Sequence, residues 1–162
     1  MKNNKGFSLV ELIIVIAIMA VLVGVLAPTY LQYVEKSKKS NDVSTVDSIV
    51  NACEIGAIDP EVMADTNETI TVVIDINGTY ITPDTGTSAW SKAVIDAIGT
   101  DAKLKSTNWG GPVAVKATRV RATGKVSFAY VKAPVAIGGV NYDCTAGSTA
   151  FDTYAVGLSK IS

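Results

Sequence analysis

Gly6-Phe7-Ser8-Leu9-Val10-Glu11-Leu12 opens the stretch that decides the fold, and the chain then runs on through Ile13-Ile14-Val15-Ile16-Ala17-Ile18-Met19-Ala20-Val21-Leu22-Val23-Gly24-Val25-Leu26-Ala27 to Pro28. Leu12 to Ala27 is an unbroken apolar run of 16 residues, and counting from Phe7 gives 21 with one ionisable side chain, Glu11. As a helix those 21 residues measure roughly 31 Å, the thickness of a bilayer's hydrocarbon core. One membrane-spanning helix near the amino terminus is therefore expected. The same run also reads as the apolar centre of a secretory signal, with Lys2 and Lys5 in front and Val25-Leu26-Ala27 as a cleavage site. Two residues weigh against that second reading. Pro28 would directly follow the cut, and Glu11 puts an acid inside the segment that must enter lipid.

An acid near the centre of a membrane helix costs about 2.5 to 3.5 kcal/mol on insertion scales, so it calls for a partner. No basic residue lies between Lys5 and Lys36. Two accounts of Glu11 stay open on this basis. It lies one turn from Phe7, close enough to reach headgroup water, or its cation comes from outside this segment.

Gly6-Phe7-Ser8-Leu9-Val10-Glu11-Leu12, the aliphatic run and Pro28-Thr29-Tyr30-Leu31-Gln32-Tyr33 together closely resemble the class III signal and amino-terminal helix of type IV pilins, over about the first 33 residues. The resemblance implies a leader at 1–6, a transmembrane and filament-core helix at 7–28, and a head at 29–162 that includes the amphipathic half of the same helix. It implies a prepilin peptidase that cuts between Gly6 and Phe7 and methylates the Phe7 amine. Glu11 would pair with the terminal amine of a neighbouring subunit, and Pro28 would adjust the helix during assembly. The partners implied are other copies of the chain in a homopolymer, the peptidase, the pilus assembly machinery, and the membrane before assembly, with no cofactor. The precursor would sit in a bacterial inner or cytoplasmic membrane and the product in an extracellular pilus serving adhesion, motility, aggregation or DNA uptake. A pseudopilin of a type II-like secretion system shares the anchor and is the nearest rival. A secreted binding protein whose signal is removed at Ala27 is the rival from another class.

The remaining sequence reads as one soluble domain. Of 162 residues, 48% are hydrophobic, 14 are basic and 15 acidic, and there is no histidine, the commonest general base. With no Gly-x-Ser-x-Gly elbow either, no nucleophile and base pair for catalysis is found, and no metal site is expected. Asp75, Asn77 and Asp84 supply oxygens but lack the terminal acid of a calcium loop.

No proline or glycine interrupts Leu31 to Ile55, so one helix is expected from Phe7 to Ile55, bent at Pro28 and ended by Gly56 and Pro60. Val43, Val46, Ile49, Val50 and Cys53 form its apolar stripe, with Asp42, Ser44, Asp47, Ser48 and Asn51 off it. Thr69 to Asp75 and Thr79 to Ile81 read as strands around an Asn77-Gly78 turn, and Pro112 to Ala122 and Lys125 to Lys132 as a hairpin around Thr123-Gly124. Ser88 opens a short helix stopped by Gly99, Gly138-Gly139 marks a turn, and Ala150 to Leu158 reads as a last strand. The fold class expected is α+β and pilin-like: a long kinked amino-terminal helix, its hydrophobic half protruding, packed on a carboxy-terminal antiparallel sheet.

Two features of the head leave alternatives open. Cys53 and Cys144 either pair in one disulfide or remain two buried thiols. Residues 40 to 101 hold 11 acids and one base, whereas 102 to 142 hold seven bases and no acid. These charges neutralise one another within a subunit, meet between subunits, or place Lys116, Arg119, Arg121, Lys125 and Lys132 in a stripe for nucleic acid. Lys36, Lys38 and Lys39 follow the anchor and are positioned to touch anionic headgroups.

Overall fold

The computed structural model describes residues 6–83 and 86–155, so Lys2, Lys5 and Asp84 lie outside the described residues. The chain divides after Ser37 into two compact units. A single helix, α1 (Leu9–Ala57), begins in the first and ends in the second.

In the first unit α1 is helical from Leu9 onward and passes through Pro28 without interruption. Pro28 has no N–H, so the Gly24 carbonyl loses its helical donor. Directly after Pro28, the Thr29 hydroxyl donates to the Leu26 carbonyl at 2.8 Å.

The second unit is built in two layers. Along α1, Val46, Ile49, Val50 and Cys53 are buried at the expected three- and four-residue spacing. They face a four-stranded antiparallel sheet of order β2-β1-β3-β4, formed by β1 (Thr69–Ile74), β2 (Thr79–Thr82), β3 (Val113–Val120) and β4 (Lys125–Tyr130). Register pairs Val72 with both Ile81 and Val115, and Ala117 with Phe128. Ile70, Val72 and Ile74 of β1 therefore share one face with Val113, Val115 and Ala117 of β3, and all join the core under α1. The layer is completed by α2 (Pro60–Ala64) and α3 (Ala89–Ile98). Ser88 caps α3 by accepting from the Ser91 N–H, and Gly99 ends it at φ 72°, as the sequence predicts.

Beyond the sheet, β5 (Pro134–Ile137) and β6 (Val140–Asp143) form a separate two-stranded sheet. Its turn is Gly138-Gly139, with φ of 56° and 80°, values that a β-carbon disfavours and a tight hairpin requires. Val135, Ile137 and Tyr142 cover a small second cluster of Val73, Ala114 and Cys144 on the outer face of the main sheet.

Four expectations are corrected. The helix does not end at Gly56; it continues to Ala57, and Gly56 is buried where an added β-carbon would lie 3.4 Å from both Trp90 and Ala93. The β1–β2 connection is not centred on Asn77-Gly78. Asp75 accepts from the Asn77 and Gly78 N–H groups at 2.6 and 2.9 Å, placing Ile76 and Asn77 at the tip. Gly78 is required instead because the Thr100 carbonyl would lie 2.9 Å from its β-carbon.

Asp42, read as off the stripe, is fully buried. Finally, Ala150 to Leu158 is not a strand: α4 (Thr145–Tyr154) occupies the described part of it. Gly147, Ser148 and Phe151 give that helix a buried side, and the Ser148 hydroxyl accepts from the Ala114 N–H at 2.9 Å. Tertiary packing of small residues overrides the strand preference of the segment.

Candidate functional site

The helix start is built by its own side chains. Gly6, Phe7 and Ser8 are non-helical, Leu9 is the first helical residue, and Phe7 is 90% exposed. The Ser8 N–H donates to Glu11 Oε2 at 2.9 Å. A Ser followed three residues later by a Glu is the spacing of a capping box, in which the acid reaches back to the first unpaired donor and lies favourably in the helix dipole. Glu11 thus has a local partner that the search for a basic side chain missed. The Ser8-Leu9-Val10-Glu11 spacing was the available signal.

Every side chain from Leu9 to Leu26 is exposed. Ile13 and Val15, at 51%, are the most shielded of the large apolar residues there. An 18-residue window of this helix has mean hydropathy 3.1 and none of it is buried. By length and composition this helix is long and apolar enough to cross a membrane.

In the head, charged residues are used to fasten loops. Asp42 accepts from the Lys105 N–H at 2.7 Å, the Ser106 N–H at 2.9 Å and Trp109 Nε1 at 2.8 Å, pinning the 105–109 loop to α1. One turn earlier, Lys39 Nζ lies 4.7 Å from the Trp109 ring and 5.5 Å from that of Tyr154. Lys39 is therefore an aromatic contact of the head, while Lys36 and Lys38 are exposed. Burial raises the Asp65 carboxyl, but donors outweigh it and hold it at about 2: the Asn67 N–H, the Ser88 hydroxyl, the Asn67 amide and the Trp90 N–H.

Arg119 corrects the stripe proposed for nucleic acid, because it is buried and points away from the outer face. Its guanidinium donates to the carbonyls of Val62, Asp65 and Asn67 at 2.8, 3.2 and 3.0 Å. Arg121 and Lys132 lie near acids of the same chain, Glu68 at 3.9 Å and Asp152 at 2.6 Å. Asp75, considered for calcium, is engaged in its own turn.

Cys53 and Cys144 are both free and buried. Cys53 belongs to the core under α1 and Cys144 to the cluster on the other face of the sheet. Burial, followed by the Glu54 charge, pushes the Cys53 thiol up to about 12; burial, followed by Asp143, pushes Cys144 up to about 11.

An exposed apolar helix whose first turn carries one acid runs on into an α+β unit. Residues 1–27 match the prokaryotic N-terminal methylation motif. The chain is 29% identical to the fimbrial protein EcpC of Eikenella corrodens, over 71% of this chain and 75% of that one. It is 39% identical to a fimbrial protein of Pseudomonas aeruginosa over 33% of this chain and 35% of the relative. With a fimbrial protein of Moraxella nonliquefaciens it shares 30% over 47% and 49%. The match thus spans three-quarters of the first relative and half or less of the other two. No solved structure matches the chain. Motif and relatives together support a type IV pilin, a fimbrial structural protein and not an enzyme.

Proposed function

We propose that the chain is cut between Gly6 and Phe7, methylated at Phe7, held in the membrane by residues 7–28, and polymerised through that helix into an extracellular filament. The observation that carries this reading is the fully exposed apolar helix with a single acid near its start. Lipid covers it before assembly and the helices of other copies cover it afterwards. Within an apolar bundle a carboxylate and an ammonium attract strongly, while either alone carries a heavy desolvation penalty. Pairing of Glu11 with the Phe7 amine of a neighbour would therefore fix the register between subunits. Pro28, whose helix lacks one hydrogen bond, is the place where α1 yields during packing.

Intact mass of material sheared from the cell surface tests processing. A mature chain starting at methylated Phe7 is expected; a Pro28 start or an uncut Met1 overturns the reading. Glu11→Gln tests assembly, because Gln retains the capping spacing but not the charge. Processed subunit in the membrane with surface filaments reduced at least tenfold is expected, and undiminished filament yield removes the role given to Glu11.

A further inference from the structure

Asn77-Gly78 carries a chemistry beyond its place in a turn. An asparagine carboxamide is a labile group, and a following glycine, having no side chain, leaves its own nitrogen open to approach. No other asparagine of the chain precedes a glycine; the neighbours are larger, as in Asn67-Glu68, Asn108-Trp109 and Asn141-Tyr142. Asn77 is exposed at the β1–β2 tip, while Gly78 is buried behind it.

One carboxylate holds both reacting ends. Asp75 Oδ1 accepts from the Asn77 N–H at 2.6 Å and from the Gly78 N–H at 2.9 Å, and Asp75 Oδ2 accepts from Asn77 Nδ2 at 3.2 Å. The main chain around them is fastened as well. The Asp75 N–H donates to the Gly78 carbonyl at 3.0 Å, the Thr79 N–H to the Thr100 carbonyl at 3.1 Å, and the Leu104 N–H to the Asp75 carbonyl at 2.8 Å. The Thr100 carbonyl oxygen would lie 2.9 Å from a β-carbon on Gly78, so this backbone has little room to swing.

We propose that Asn77-Gly78 is a site of spontaneous imide-forming modification, which Asp75 keeps shut while the tip is closed. The reaction needs only water and hydroxide. After hydroxide removes its proton, the Gly78 nitrogen attacks Asn77 Cγ; the N–Cγ bond forms, the Cγ–Nδ2 bond breaks, and Nδ2 leaves as ammonia with a proton from water. Water then opens the cyclic imide at either carbonyl, giving an aspartyl or isoaspartyl residue at position 77. Overall, water is consumed and ammonia released. Asp75 opposes the first two events. A carboxylate accepting from the Gly78 N–H favours the protonated amide, because a deprotonated nitrogen beside it would be a like charge. Its bond to Nδ2 fixes the carboxamide, so Cγ swings onto the Gly78 nitrogen only after that bond is given up. Opening of the tip releases these bonds, and the product does not restore them: a carboxylate then stands opposite Asp75 where Nδ2 donated. The modification therefore records past opening of the tip and loosens its ties to residues 100–104.

The test is peptide mass analysis of the full chain aged at pH 8, folded in detergent and unfolded in denaturant, with isoaspartyl methyltransferase labelling to locate the product. In the unfolded chain Asn77 should convert ahead of every other asparagine, and earlier conversion elsewhere overturns the site. In the folded chain conversion at 77 should be slower by about tenfold or more, since only the open fraction reacts. Equal rates in the two states overturn the protection. Folded Asp75→Ala should convert at 77 faster than folded wild type by about fivefold or more, and an unchanged rate overturns the role of Asp75. Trp emission and a cooperative melt establish that the variant is folded. If it is not, hydrogen exchange resolved at the Gly78 amide of the wild type takes its place. Slow exchange is expected there, and exchange at the unfolded rate overturns the proposal.

Discussion

Asp42 illustrates how a single buried carboxylate can organise a loop. Three N–H groups converge on it from Lys105, Ser106 and Trp109, so its charge is offset by donors, with no cation required. Asp42→Ala leaves those donors buried and unmatched, and we expect a loss of about 2 to 4 kcal/mol, read from denaturant unfolding of the full chain in detergent. A loss below half a kilocalorie would mean that the loop finds other acceptors. Asp65 makes a different prediction. Its folded carboxyl is held at about 2, below the ordinary aspartate value near 4, so the folded state binds fewer protons than the unfolded state between those limits. Its stabilisation is complete above the unfolded value and disappears as pH falls through the folded one. Asp65→Asn should melt below wild type at pH 7, and the two melting curves should converge by about pH 2. Parallel curves from pH 7 to pH 2 would exclude this linkage.

Among the elements, α4 depends on one missing side chain. A β-carbon on Gly147 would run into the carbonyls of Gly111 and Pro112, both backbone and unable to rotate aside. Gly147→Ala should therefore push α4 off the sheet and disturb the Trp109–Phe151 contact, whose rings lie 4.7 Å apart. A red-shifted Trp emission and destabilisation of about 1 to 3 kcal/mol are expected, and an unchanged spectrum with wild-type stability would refute the tight approach.

This element was also the least legible in the sequence. The α1 stripe and the β3–β4 hairpin follow from periodicity, and α3 from its Ser88 cap and Gly99 stop, because each is decided by neighbours a few residues away. Residues 145–154 are mostly Thr, Ala, Gly and Ser, with Phe151, Asp152 and Tyr154, and their helicity is set by the distant backbone at 111–114. Asp42 was misread for the same reason: its three donors lie more than sixty residues onward. Cys53 and Cys144 form an even pair in sequence, but the sheet stands between them in space. Glu11 was half legible; its spacing from Ser8 was present, and attention to charge alone passed over it.

At the scale of the whole molecule, the two apolar clusters predict unequal resistance to opening. The larger one runs from Val46 to Phe151 through both layers, while the smaller holds three buried residues under the β5–β6 hairpin. A thiol reagent at pH 8 should leave both cysteines unmodified in the folded protein, since burial keeps each thiol protonated. As denaturant is added, Cys144 should label before Cys53, because small clusters open locally at lower free energy than the main core. Simultaneous labelling would mean that the hairpin and the core open as one unit.

That separation has an engineering consequence. Gly138 and Gly139 sit at the hairpin tip, and a β-carbon at either would meet nothing within 4 Å. Their strands pair only with each other, so a foreign peptide spliced between the two glycines would lengthen a loop without entering the main core. If each subunit of a polymer carried such a graft, the fibre would display it at every repeat, turning one tolerant turn into a multivalent scaffold.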